Sequence, residues 1–252
     1  MRAGTCRCTE TGPRRRLDLV CRLMQAGTII SQSWELYKRH WRHLIPVALA
    51  VYIVVALLTL LLTALLGWVG ALLGFLISLA GIFWLQGALV LAVDDVRDGR
   101  ADLSIQETLN RVIPRLNTLT LAGLLAGLGI FFGFLLLIVP GLYLLTIWLL
   151  IVPAIMLEGH GVLSSFGRSR ELVRDYAWSV FGVIVLTVVI MIGVGLVVSI
   201  VEAAVDNSLV TFLLDIVTDT VTAPFLALAW TLTYFELRAI KEPEPVPAPA
   251  AA

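Results

Sequence analysis

Three stretches of this chain contain no Asp, Glu, Lys or Arg: residues 44–93, 116–157 and 176–201. A helix that crosses the roughly 30 Å hydrocarbon core of a bilayer needs about 20 apolar residues. The first two stretches are long enough for two crossings each, and the third for one. A soluble helix must show water a polar face, and these runs supply none. Composition agrees: 59% of residues are hydrophobic and 14% charged, against about 45–50% and 25% in soluble domains. The expected fold is therefore all-α and polytopic.

Turn-forming residues divide the long runs. Gly67-Trp68-Val69-Gly70 splits the first and Val139-Pro140-Gly141 the second. Proline cannot donate a helical hydrogen bond, and glycine tolerates a turn. Six spans follow, near 44–66, 70–93, 116–139, 141–157, 176–201 and 210–236, within a membrane domain of residues 27–240. The last span carries Asp215, Asp219 and Pro224, which is expected to kink it. Residues 1–26 read as a basic tail without fixed structure, and 241–252, rich in Pro and Ala, as another.

The basic residues set an expected orientation. Of the 18 Lys and Arg, nine lie in 1–43, four in 94–115, three in 158–175 and two in 237–252. The connections near 67–70, 139–141 and 202–209 hold none. Lys and Arg are retained on the cytoplasmic side. Both termini are thus expected in the cytoplasm of a multi-pass inner-membrane protein, with no cleaved signal peptide. Cys6, Cys8 and Cys21 fall on the reducing side and are expected as free thiols. With His40 and His43 they form no recognised zinc spacing, so no metal or other cofactor is expected.

Each pair of spans follows a short amphipathic segment. Ile30, Trp34, Tyr37, Trp41 and Leu44 recur at steps of four, three, four and three, as do Val162, Phe166, Ser169, Val173 and Tyr176. The middle copy offers Ile105, Leu109, Val112 and Leu116. Ser33, Glu35, Leu36 and Lys38 also match Ser169, Glu171, Leu172 and Arg174 in type. Three repeats are expected, each an interfacial helix, apolar face down, plus a helical hairpin. Ser104 and Glu107 have capping-box spacing for the middle helix.

Glu158-Gly-His160-Gly falls between a span and an amphipathic segment. A Glu and a His can perform acid–base chemistry, but no third polar partner adjoins them in sequence. The stretch reads as a membrane exit that needs its glycines.

Pro140, Gly141 and Tyr143, then Glu158-Gly159, then Ser164, Ser169 and Leu172 form a pattern. With the closing "APFLALAWTLTYFELR" at 223–238, it resembles the membrane domain of bacterial glycerophosphoryl diester phosphodiesterases. It is equally similar to related uncharacterised inner-membrane proteins. The resemblance spans roughly residues 28–240 and implies a helical membrane unit from a bacterium. In that family the activity belongs to a separate soluble barrel, and no segment here has the roughly 250 residues a barrel needs.

Gly123/Gly127, Gly129/Gly133 and Gly70/Gly74 are small-xxx-small pairs that let helices approach closely, within the chain or in a homo-oligomer. "GLGIFFG" at 127–133 follows no strand and is not a nucleotide loop. Asn207, Thr211, Asp215 and Asp219 share one helix face. Counted from Arg238, Asp219 lies about 28 Å and Asp215 about 34 Å along the helix, near the outer boundary. With Glu202 and Asp206 they form either a polar interfacial face or an outward cation or proton site. No nucleophile triad, zinc helix or phosphate loop is present. The expected function is a non-enzymatic scaffold or accessory component for a partner protein or for lipid handling. The alternative is a small transporter or channel using the Asp215/Asp219 face. The bilayer is the expected partner, together with another membrane or cytoplasmic protein; nucleic acid is not.

Overall fold

The computed structural model describes residues 14–97, 104–205 and 207–242. All regular structure there is helical: α1 (Arg14–Leu66), α2 (Trp68–Arg97), α3 (Ile105–Val112), a 3₁₀ turn (Ile113–Arg115), α4 (Leu116–Leu136), α5 (Ile138–Trp148), α6 (Ile151–Glu158), α7 (Val162–Val173), α8 (Ala177–Ala203) and α9 (Ser208–Lys241). Six segments are long and apolar enough to cross a membrane: Ala26–Leu66, Trp68–Arg97, Ile105–Leu136, Ile138–Glu158, Ala177–Ala203 and Val210–Lys241. Each covers most or all of one expected span. The helical trace begins at Arg14, so the second half of the basic tail is helical. The run from Arg14 to Gln25 is rich in Leu and Arg and lacks Gly and Pro, which favours helix.

The chain turns at Gly67, which takes the left-handed φ of 59°. The second hairpin turns at Leu137 (φ −165°, ψ 152°), earlier than expected. Pro140 stands in the first turn of α5 instead, where its missing N–H would have had no helical partner. Close packing explains several glycines. A Cβ on Gly70 would lie 1.8 Å from the Leu62 carbonyl oxygen, and one on Gly133 would lie 3.0 Å from Gly141 Cα. Both contacts are within hairpins, so those faces serve internal packing.

The three-repeat reading acquires a register. One residue in each copy leaves the helical region for nearly the same conformation: His40 (φ −121°, ψ 17°), Arg115 (φ −103°, ψ −1°) and Tyr176 (φ −119°, ψ 16°). This bridge region is sparsely populated, so three occurrences at equivalent junctions mark the same joint. Seven residues before each joint stands a fully buried hydroxyl: Ser33, Thr108 and Ser169. Four and seven residues after it stand buried apolar pairs: Leu44 and Val47, Leu119 and Ala122, Val180 and Val183. The register agrees with the Ser33–Ser169 match. For the third copy it is one helical turn away from the alignment that the apolar stripes alone give, because a stripe repeating every turn looks the same after a one-turn slip.

The amphipathic helices do not simply lie apolar face down in lipid. Val112, Leu172 and Val173 are wholly buried against the bundle, and α7 packs on α4, α5, α6 and α9. In the first copy Tyr37 and Leu44 face the protein while Trp34 and Trp41 are about half exposed. Ser104 does cap α3, accepting from Glu107 N–H at 3.2 Å. The Glu107 side chain turns to Arg111.

Burial is uneven along the bundle. The core residues of α1 and α8 lie toward the end that carries the basic residues: Leu44 to Val51, and Val180 to Thr187. Beyond them Leu57, Leu60, Leu65, Leu135, Leu137 and Ile200 are mostly exposed. Lipid tails are as apolar as leucine, so those faces need no protein cover.

Candidate functional site

Two polar constellations and one apolar groove stand out, and the first adds partners to Glu158, which stands at the end of a span as expected. Helix α6 ends at Gly159, which takes a left-handed φ of 76° that suits glycine. That stop aims Glu158 inward. Arg168 on α7 donates to it from Nε (2.7 Å) and Nη2 (2.9 Å), a forked pair, with both side chains largely buried. Tyr234 on α9 donates its hydroxyl to Glu158, and His160 Nε2 stands 2.9 Å away. Arg238 adds a longer ion pair at 3.8 Å. Arg168 also pairs with Glu242 (2.5 Å), and Lys241 with Asp175 (3.0 Å). Hydrogen bonds to Glu158 push the Arg168 pKa further above its ordinary value. Hydrogen bonding to Arg168 lowers the pKa of Glu242.

The same end of the bundle repairs a broken helix. Pro153 interrupts the hydrogen bonding between α5 and α6, since it has no N–H for Leu149. Ser169 from α7 fills the break. Its Oγ accepts from Leu150 N–H (3.2 Å) and donates to the Ile147 carbonyl (2.6 Å). Arg115 caps the far end of α6, donating to the carbonyls of Ile155 (2.9 Å) and Met156. In a membrane protein every freed backbone group needs such a partner. Glu158, Gly159 and Ser169 thus belong to one assembly, with Leu172 in the apolar cluster beneath it. Pro140 and Gly141 lie at the other end of α5 and take no part. Every polar group at Glu158 is answered by a neighbour, so this knot is built to hold α6, α7 and α9 together.

Sequence reasoning did not place Arg115, Arg168, Tyr234 or Arg238 in this assembly, although Tyr234 and Arg238 fall in the closing stretch 223–238. A signal existed for two of them. Tyr234, Arg238 and Glu242 fall every fourth residue, a polar stripe on the last turns of an otherwise apolar helix.

The second constellation surrounds Asp219. It lines a cavity of about 260 Å³ between α1, α2, α6 and α9, whose polar lining includes Tyr52, Gln86, Trp230 and Thr231. Asp219 and Tyr52 also line an adjoining space of about 510 Å³ bounded by α1, α2 and α9, with Thr59, Thr63 and Ser78. Asp219 is itself exposed and stands at the edge that these two spaces share. Asp215, one turn away, stands beside both Asp219 and Glu202. Asp206 lies outside the described residues. Among the described residues no cluster of three or more His, Cys, Asp or Glu could hold a metal ion. Cys6 and Cys8 lie outside them too.

The groove, of about 580 Å³, lies between α1, α8 and α9 and is almost wholly apolar, lined by Ile30, Met191, Val194 and Val221 among others. Trp34, Tyr37 and Phe225 close one end. Trp34 stacks on Tyr37 at 5.8 Å and meets Phe225 edge-on at 6.2 Å. Lys38 Nζ stands 5.8 Å from the Trp34 ring.

Fold and sites together define an all-α polytopic membrane protein whose ion pairs gather at one end of the bundle. Residues 108–237, just over half of the chain, match the family described as Domain of unknown function (DUF7847), and the chain belongs to that family. The matched segment contains Arg115, Glu158, Arg168, Ser169, Asp219 and Tyr234. No curated protein and no solved structure matches the chain significantly.

Proposed function

We propose that this is a non-enzymatic integral membrane protein that handles membrane lipid, alone or as the accessory part of a larger assembly. The groove between α1, α8 and α9 carries the reading. It is apolar along its length, as an acyl chain requires, and is bounded at one end by aromatic rings and Lys38. Aromatic rings of this kind suit the headgroup level, and a lysine there favours anionic lipid. The resemblance to the membrane domain of glycerophosphoryl diester phosphodiesterases supports an accessory role. The charge asymmetry supports cytoplasmic termini in a bacterial inner membrane.

Native mass spectrometry of the protein released from its own membrane tests this directly. Phospholipid is expected to remain bound, and filling the groove by Val194→Trp is expected to displace it. Equal lipid retention by that variant overturns the reading. The purified chain is expected not to hydrolyse glycerophosphodiesters. A small transporter or channel is the second reading, favoured by Asp219 standing where two spaces between the helices meet.

A further inference from the structure

The two spaces beside Asp219 are halves of one crevice. The larger, of about 510 Å³, and the smaller, of about 260 Å³, share Tyr52, Ile82, Leu85 and Asp219 in their walls. On α9 the lining runs from Phe212 to Thr231, about 28 Å along the helix. The hydrocarbon core of a bilayer is about 30 Å thick. At one end the crevice reaches Thr63, one turn before Gly67, and at the other Val90, one turn before Asp94. It follows the bundle over nearly a full span.

Its wall is polar at every level. Thr59, Thr63 and Ser78 line the half nearer the Gly67 turn. Tyr52 and Asp219 stand where the halves join, and Gln86, Trp230 and Thr231 line the smaller half. Thr59 Oγ1, Trp230 Nε1 and Thr231 Oγ1 are buried atoms without a hydrogen-bond partner. Buried polar atoms are normally paired, so these three fit a wall that water or a polar group visits. The groove between α1, α8 and α9 is by contrast almost wholly apolar.

The crevice is also open on its flank. Leu60, Ile82 and Phe212 line it and are themselves exposed, as is Asp219. A path for bare ions is covered from lipid, because charge in hydrocarbon is costly. Here a polar wall and exposed apolar side chains share one edge. A visitor suited to both has a polar head and apolar tails. Asp219 and Trp230 lie about 16 Å apart along α9, so the polar residues serve a headgroup in succession and not at once.

We propose that this crevice carries phospholipid headgroups between the two leaflets while their tails stay in the bilayer. The proposal rests on the lipid-handling reading and gives it an activity, the exchange of phospholipid across the membrane. A headgroup crosses bare hydrocarbon slowly because its charges lose water without gaining partners. Hydroxyls, the Gln86 amide and the water that they hold supply partners at each level. Exchange of like for like needs no energy source. The smaller half, where Val152 and Pro153 of α6 join the wall, is the narrow stage.

Liposomes holding the full chain and a trace of phosphatidylcholine with a fluorescent tail test it. Added dithionite bleaches only the outer leaflet unless lipid crosses. Nearly complete bleaching is expected with the wild type, and bleaching of the outer leaflet alone with Gln86→Trp, which fills the narrow stage. Leu128→Trp, on an exposed face of α4, is expected to match the wild type. Wild-type bleaching no greater than in protein-free liposomes, or equal loss in both tryptophan variants, overturns the proposal. So does bleaching of a water-soluble dye trapped inside, which reports an aqueous pore. A second measurement needs no bulky side chain. In a background without Cys6, Cys8 and Cys21, Thr59→Cys and Gln86→Cys are expected to react several-fold faster than Leu128→Cys with a charged, water-soluble thiol reagent. Equal rates overturn the proposal. Absent exchange by a chain that still retains phospholipid in its native mass spectrum, displaced by Val194→Trp, removes this activity and leaves the lipid-handling reading standing.

Discussion

Glu158 and Asp219 are both acids in apolar helices, and their surroundings are opposite. Glu158 is met by a forked guanidinium, a tyrosine hydroxyl and an imidazole. Asp219 faces a cavity lined by hydroxyls, an amide and an indole, without a basic residue among the described lining. A carboxylate whose bonding capacity is filled by its own protein is held for stability. One whose charge is left open is held for something else. The contrast separates a structural end of the bundle from an exposed acid at the edge of two spaces.

The sharpest way to break it is to remove both acids in turn. Glu158→Ala leaves Arg168 buried without its main partner, which costs about 3–5 kcal/mol. Asp219→Asn removes an uncompensated charge and is expected to change stability by less than about 1 kcal/mol, or to raise it. Reversible unfolding in mixed micelles measures both, and equal losses would end the distinction. Next in size is Ser169→Ala, which strands the Leu150 N–H and the Ile147 carbonyl at a cost of about 1–3 kcal/mol. Its repeat counterparts bond only to carbonyls four residues back in their own helices, Ser33 to Ile29 and Thr108 to Ser104. Ser33→Ala and Thr108→Ala are expected to cost under about 1 kcal/mol in the same assay. Three equal losses would show that the hydroxyls do one common job.

Gly159→Ala forces a side chain into the left-handed conformation that stops α6, costing about 1 kcal/mol. Smallest is the effect of Glu242, whose lowered pKa makes its contribution depend on pH. That contribution is complete above the unfolded glutamate value of about 4.3 and fades as pH falls through the lower folded value. Thermal midpoints of the wild type and Glu242→Gln are expected to differ slightly at neutral pH and to converge below about pH 4. A gap that widens in acid contradicts the assigned ion pair with Arg168.

Much of the fold was legible because hydrophobic length is a local property. The charge-free runs located five of the six spans, the apolar stretch around Asp215 and Asp219 the sixth, and Gly67 the first turn. Pro140 misled by three residues, since a proline can begin a helix as readily as it can end one. The candidate sites were less legible. Asp215 and Asp219 stood out as acids in a span, and their shared face followed from a spacing of four. That Asp219 faces Tyr52 and Gln86 did not follow, because those residues lie on other helices. Glu158 does mark a membrane exit, but its partners were not legible, since Arg168 is ten residues away and Tyr234 seventy-six. No periodicity links positions so far apart.

By itself the sequence determined that the chain is a bundle of apolar helices, about where each span lies, and that its basic residues gather at one end. Those outcomes depend on transfer of side chains into lipid and on backbone hydrogen bonding within a single segment, both summed over neighbouring residues. Only the tertiary structure decided which polar groups meet. In lipid the helices gain little from hiding leucine, so their mutual rotation is set by close contacts, interrupted turns and a few hydrogen bonds. Those rotations gave Glu158 its partners and left Asp219 facing open space.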